Sequence, residues 1–359
     1  MRPVEPVNSA HSISLVQLIH HPDVKGPEME NPSAQKPTRN IALEFVRVTE
    51  AAAMAAGRHF GRGTKIDADG AAVDAMRLLL NEIDLAGKIV IGEGEKDQAP
   101  MLFNGEMVGT GEPPELDIAV DPVEGTELVA KGMPNAIATV AAAPRGTMFD
   151  PGPMFYMSKI AVGPEARDVI DIDAPVEDNL NKIAKAKGMD IDELTVVILD
   201  RPRHDRLIHE VRECGARIRL IPAGDVAGAL MAAWPGTGID VLMGIGGTPE
   251  AVLAACGLCA MRGSIQGILW PRNAEDRQQA LNAGIDLSRV LTLEDLVASN
   301  DTFFVATGIS DGPLLDGVSY SGGFAHTHSL VARGLTCTVR EIYSHHHLDT
   351  LTAISSIAY

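Results

Sequence analysis

The apolar positions of the chain change period along its length. Asn40 precedes Ile41, Leu43, Phe45, Val46 and Val48, and an alanine-rich stretch continues to Gly57, which predicts a capped helix over about 41–57. A second helix is predicted from near Asp69, with Val73, Met76, Leu79 and Leu80 on one face. Short apolar runs follow at 88–92, 116–120, 136–142 and 157–162, each bounded by glycine, proline or acidic residues. They are expected to be strands of one sheet. From about residue 193 strand and helix alternate: strand 194–199, helix 206–214, strand 216–221, helix 226–233, strand 240–244, helix 249–261. This βαβαβ rhythm predicts a parallel sheet that binds ligands at the carboxyl ends of its strands.

The expected fold class is therefore α/β, with an α+β N-terminal half and a βαβ C-terminal half, joined near 163–190. Residues 1–38, rich in Pro, Ser, His and Asn, are expected to be a loose extension. A domain over 39–165, a second over 166–347 and a tail over 348–359 complete the expected organisation. A length of 359 residues with 45% apolar and 22% charged positions fits this, being ordinary for a globular chain of about two domains.

Charge narrows the function. Against 30 lysines and arginines stand 48 aspartates and glutamates, a formal net charge of −18. Nucleic acid and anionic membranes are thereby disfavoured as partners, and an anionic substrate would need bridging cations. No run approaches the ~20 apolar residues of a spanning helix, and the first residues make a poor signal peptide. Four cysteines suit a reducing compartment, so the expected location is the cytoplasm. Cys256 and Cys259 have redox spacing but fall in a small-residue helix, where buried packing is the expectation. His345, His346 and His347 lie outside the acidic segments and are expected at the surface.

Three distant segments place carboxylates where strands end or helices begin. In Gly92-Glu93-Gly94-Glu95-Lys96-Asp97 an extended backbone would put Glu93, Glu95 and Asp97 on one face. In Asp121-Pro122-Val123-Glu124-Gly125-Thr126 a strand ends in a turn, which offers oxygen ligands and a helix start suited to phosphate. Gly244-Ile245-Gly246-Gly247-Thr248-Pro249-Glu250 is a loop running into a helix. Singly, these could be a solvated face, a turn starter or a complement to a helix dipole, and Asp69 could be only an N-cap. Together, with oxygen donors and no need of Cys or His, they point to Mg²⁺ or Mn²⁺ and phosphate chemistry.

These residues resemble the metal motifs of the lithium-sensitive phosphatase superfamily, which includes inositol monophosphatases and fructose-1,6-bisphosphatases. From about Asn40 to His347 the chain is most similar to the class II fructose-1,6-bisphosphatase family. The likeness also runs through Gly61-Arg62-Gly63, Ala68-Asp69-Gly70, Arg201-Pro202-Arg203-His204 and Gly224-Asp225-Val226. It implies the layered sugar-phosphatase fold and metal ligation by Asp69, Glu93, Asp121, Glu124 and Glu250. It also implies substrate contacts from Glu124, Gly125, Thr126, Tyr156, Arg201, Pro202, Arg203, Ala223, Gly224, Asp225 and Gly247. Arg201 stands where some relatives have Lys, which keeps the charge and alters its geometry. Residues before 40 have no counterpart in the likeness.

The expected reaction is metal-dependent hydrolysis of the 1-phosphate of fructose 1,6-bisphosphate, in gluconeogenesis, by a homo-oligomer (dimer or tetramer). Thr126 would orient or deprotonate the attacking water with help from Glu93 or Glu95, and Asp97 joins this catalytic set. Arg201 and Arg203, at a strand's carboxyl end, suit a second phosphate. Asp225 could accept sugar hydroxyls or cap the next helix. Alternatives are a sedoheptulose 1,7-bisphosphatase or dual enzyme, an inositol or nucleotide phosphatase, and a non-catalytic metabolite-binding regulator.

Overall fold

The computed structural model describes residues 40–93, 101–355, 357 and 359. Helices α1 (Ala42–Gly57) and α2 (Lys65–Leu80) come first and bury Phe45, Val48, Met76 and Leu80 at helical spacing. Helix α2 starts ahead of the expected position, with Thr64 as its N-cap residue. Asp69 is therefore inside the helix and does not cap it.

Strands β1 (Ala86–Ile91), β2 (Met107–Val108) and β3 (Glu115–Glu124), helix α3 (Thr126–Lys131), and strands β4 (Ile137–Pro144) and β5 (Tyr156–Val162) follow. The alternating segment comprises α4 (Val176–Lys187), β6 (Thr195–Leu199), α5 (Asp205–Glu213), β7 (Arg217–Ile221), α6 (Asp225–Ala233), β8 (Val241–Gly247) and α7 (Thr248–Met261). Then come β9 (Ser264–Leu269), α8 (Ala274–Asn282), α9 (Leu293–Leu296), β10 (Phe303–Gly308), β11 (Ser319–Ser321), β12 (Phe324–Arg333), β13 (Thr338–His347) and α10 (Leu348–Ile354).

One sheet runs β12-β10-β4-β3-β1-β2, with β11 and β13 also paired to β12; the other runs β7-β6-β8-β5-β9. As expected, β6 is parallel to both β7 and β8. The expectation of one sheet for the four early runs is corrected by β5, which pairs antiparallel with β8 and β9 in the second sheet. Strands β10 to β13 return to the first sheet, so the strands do not sort along a division at 165/166. Hydrophobic period identifies a strand but not its neighbours. The expected tail is helical over Leu348–Ile354.

The buried side chains define layers. Ile118, Val120 and Val140 pack with α1 and α2 on one face of the first sheet. Ala119 and Ala141, on its other face, join α6, α7 and the Met157, Ala161, Val197 and Leu242 face of the second sheet. Ile160, Val162, Val196 and Ile198 face α4 and α5. The order is helices, sheet, helices, sheet, helices, and the middle layer brings the N-termini of α6 and α7 to the end of β3.

Candidate active site

The site begins with an irregularity in β3. Asp121 is opposite Thr139 on β4, yet Glu124 is opposite Ile137, so β3 carries one extra residue there. In a regular strand residues three apart face opposite sides; the bulge at Pro122 turns Asp121 and Glu124 to the same side. Asp121 Oδ1 accepts from Val123 N at 3.1 Å, and Glu124 Oε1 accepts from Val226 N, at the start of α6, at 3.0 Å. Gly125 then adopts φ 92°, where a Cβ would lie 2.8 Å from Leu128 Cδ1. That turn opens α3 at Thr126, whose Oγ donates to Asp69 Oδ1 at 2.9 Å.

Glu250 enters from the first turn of α7. Gly246 and Gly247, just before it, leave room for carboxylates. A Cβ on Gly247 would fall 1.6 Å from Glu250 Oε2, and one on Gly246 1.9 Å from Asp225 Oδ2. Asp121, Glu124 and Glu250 each bring an oxygen within 4.8 Å of the others. They line a cavity of about 550 Å³ together with Glu93, Gly125 and Thr126. Asp225 is the first residue of α6, and its Oδ2 lies 2.6 Å from Lys159 Nζ.

The carboxylates crowd one another. Burial, then the charges of Glu124, Glu93 and Glu250, holds Asp121 well above the usual carboxylate range. Glu124 is raised by burial and by Asp225. Glu250 is pushed up to about 8 by burial, then by Asp225 and Glu124. Glu93 keeps an open face, yet protein packed around its carboxylate and the charge of Asp69 push it to about 7. Burial also raises Asp69, against the hydrogen bond from Thr126. Glu250 Oε2 is buried without a hydrogen-bond partner. An orphaned buried oxygen among like charges, with oxygen donors on every side, fits a hard divalent cation.

These shifts fix a pH dependence. A carboxyl raised by folding binds more protons folded than unfolded between its ordinary value and its raised one. Metal-free stability therefore falls as pH climbs from about 4.5 through about 8. A bound divalent cation removes the repulsion. The melting temperature gained on adding Mn²⁺ to EDTA-treated protein is expected to widen from pH 5 to 8 in calorimetric scans. A pH-independent gain would contradict it.

At the end of β6, Arg201 to His204 form a single tight turn. Arg203 Nε and Nη2 donate to Ile245 O at 3.1 and 2.8 Å, and its guanidinium lies 5.2 Å from the Tyr156 ring centroid. Arg201 Nη1 donates to Asp200 O at 2.9 Å. Among the described residues neither guanidinium pairs with a carboxylate, so both charges remain available to an anion. His204 is buried; its Nδ1 is 2.7 Å from Leu199 O and its Nε2 accepts from Ile245 N at 2.7 Å. The ring is thus the neutral Nδ1–H tautomer, and burial keeps its pKa below the ordinary value. Tyr156 is opposite Gly247 in the β5–β8 register, so this basic end adjoins the loop that leads to Glu250.

Residues 39–346 match the family of bacterial, glpX-encoded fructose-1,6-bisphosphatases. The chain belongs to that family. It is 46% identical over 324 residues, 87% of its own length, to the fructose-1,6-bisphosphatase 1 class 2 of Escherichia coli strain K12, covering 96% of that protein. The same figures hold for the fructose-1,6-bisphosphatase class 2 of Shigella flexneri. Fructose-1,6-bisphosphatases are phosphoric monoester hydrolases and this family is metal-dependent. Among the described residues no helix is long and apolar enough to cross a membrane.

Within this bisphosphatase, Asp69, Glu93, Asp121, Glu124, Gly125, Thr126 and Glu250 come together at the acidic cavity or against it. Tyr156, Arg201 and Arg203 gather at the basic end, where Pro202 is exposed. Ala223 and Gly224 lead into α6 ahead of Asp225. Glu95 and Asp97 lie outside the described residues, as do residues 1–38. The carboxylate that takes the Thr126 hydrogen bond is Asp69, not Glu93; Glu95, the other expected partner, lies outside the described residues. Cys256 is buried in α7 as expected, whereas Cys259 is only half-buried. His346 is a correction: it is half-buried on β13, 2.8 Å from Thr327 Oγ. Sequence reasoning missed Arg272, 5.7 Å from the Tyr156 ring, which no pattern announces. It also missed Lys159, although a charge inside the apolar run 157–162 was a visible signal.

Proposed function

We propose that this bisphosphatase hydrolyses the 1-phosphate of fructose 1,6-bisphosphate, yielding fructose 6-phosphate and inorganic phosphate, in gluconeogenesis. Mn²⁺ or Mg²⁺ would be held by Asp121, Glu124 and Glu250, with Asp69 and Glu93 completing the donor set. The observation that carries this reading is the convergence of three crowded carboxylates, one with an orphaned oxygen, beside the Gly125–Thr126 turn. Held there, a divalent cation would supply a bound water of lowered pKa and offset charge on the phosphoryl oxygens.

The protein's own groups do the rest. N–H groups at Gly125 and Thr126, unpaired at the start of α3, would receive the transferring phosphoryl group. The Thr126 hydroxyl, with its proton directed at Asp69, presents lone pairs to the attacking water. Arg201 and Arg203 would grip the phosphate that is not hydrolysed, with Tyr156 beneath it, and Asp225 would accept from a sugar hydroxyl.

The test is phosphate release from fructose 1,6-bisphosphate, sedoheptulose 1,7-bisphosphate, fructose 6-phosphate and inositol 1-phosphate, each with Mn²⁺, Mg²⁺ or EDTA. Release of one phosphate from a bisphosphate, dependent on metal and nearly absent with monophosphates, is expected. Equal rates on bisphosphates and monophosphates would refute the basic end's role. Arg203→Ala is expected to raise KM for the bisphosphate about tenfold with little change in kcat, the loss of one charge-assisted contact to an ion.

A further inference from the structure

Lys159 is the charged residue of β5, and its side chain is only 2% exposed. Alternation along the strand puts it on the face of Met157 and Ala161, toward the middle helices. Its ammonium lies 2.6 Å from Asp225 Oδ2 and donates to Gly247 O at 2.9 Å. Burying an ammonium is unfavourable unless its partners offset the lost water, and a methionine would fill the same volume without that cost. The charge therefore acts on its surroundings. Those are Asp225, and through Gly247 the turn that leads to Glu250. Gly246 and Gly247 carry no side chains, which lets the carboxylates of Asp225 and Glu250 approach from two helices.

Resting on the hydrolytic reading above, we propose that Lys159 is a positioning residue of the site and its internal counter-cation. It keeps Asp225 paired and aimed at the sugar rather than free to join Asp121, Glu124 and Glu250 as a further metal ligand. It also lowers the charge that incoming cations meet. Once ionised to receive cations, the four carboxylates and one ammonium carry net minus three; without the lysine they carry minus four. Asp225 Oδ2 is buried without a hydrogen-bond partner and lies 2.6 Å from the ammonium, so that ion pair is what separates a substrate-binding carboxylate from the metal-binding ones.

A purely structural lysine and a counter-cation give opposite signs in one measurement. Mn²⁺ binding to the EDTA-stripped full-length protein, followed by calorimetric titration without substrate, is expected to tighten about tenfold in Lys159→Met. In the same variant kcat at saturating Mn²⁺ and fructose 1,6-bisphosphate falls about tenfold, and Lys159→Arg recovers part of it. Unchanged or weaker Mn²⁺ binding in a folded Lys159→Met, or wild-type kcat, overturns the proposal. If that variant does not fold, the double variant Lys159→Met/Asp225→Asn removes both buried charges and restores net minus three. Mn²⁺ affinity within about threefold of wild type with kcat still depressed supports the proposal, and affinity weakened more than tenfold overturns it. Wild-type protein that binds no Mn²⁺ and releases no phosphate would bring down the hydrolytic reading itself, which the wild-type control identifies separately.

Discussion

Replacing Thr126 by alanine is expected to lower kcat for fructose 1,6-bisphosphate by about 10³-fold, within the range of lost general acid–base assistance, with KM nearly unchanged. The hydroxyl sits at the first position of α3 and gives its proton to Asp69 at 2.9 Å. A threonine hydroxyl alone is a poor base. Relayed to a carboxylate whose pKa burial has raised, it can orient a water and pass the proton onward. The fold should tolerate the change. One half-buried hydrogen bond is worth about 1 kcal/mol, which in a domain of this size shifts the melting temperature by about 2 °C. Thr126→Ser keeps the hydroxyl and should stay within about tenfold of wild type. Thr126→Val keeps the shape and loses the hydroxyl, so it should fail as the alanine variant does. A fully active valine variant would remove Thr126 from the proton path.

The contrast between Thr126 and its partner shows what the sequence carried. The turn Asp121 to Thr126 was legible because Pro and Gly constrain the backbone locally and the acidic residues flank them. That Asp69 meets Thr126 was not legible as a contact, since they lie far apart and meet only where α2 packs beside α3. Its place inside α2 was obscured because the helix starts at Lys65 without a side-chain cap, the signal that would have marked the boundary. The βαβ rhythm from β6 to α7 could be read because each element alternates period within a few residues. Strands β10, β12 and β13 were overlooked; β13 lies at the sheet edge with alternating half-exposed positions, and its histidines dilute the apolar signal. The destination of β5 is a tertiary fact. Its alternation fits either sheet, and only pairing with β8 decides. Lys159 belongs to the same lesson, because a lone charge in a buried strand points to a partner without saying which.

Replacing Asp121 by asparagine should produce the opposite pattern to an ordinary active-site lesion: the metal-free protein becomes more stable as the enzyme dies. Asp121 is the most crowded member of the cluster, raised by burial and by Glu124, Glu93 and Glu250. Asparagine retains an oxygen for the Val123 N–H, and its amide can donate toward Glu124 where a second carboxylate repelled it. Removing one like charge at an effective dielectric near 20 should stabilise the stripped protein by roughly 1–3 kcal/mol, or about 2–6 °C. The ligand set loses a charge at the same time. The melting-temperature gain on adding Mn²⁺ should nearly vanish, and turnover should fall by about a thousandfold, the several kcal/mol that a metal ion supplies to phosphoryl charge. The measurement is a pair of calorimetric scans at pH 8, with EDTA and with Mn²⁺, for wild type and variant. A variant less stable than wild type in EDTA that keeps its full Mn²⁺ gain would mean that Asp121 supports the fold instead of the cation. The expected inversion follows from burying several carboxylates that have one fixed ammonium among them, so that this part of the molecule is at rest only when cations are bound.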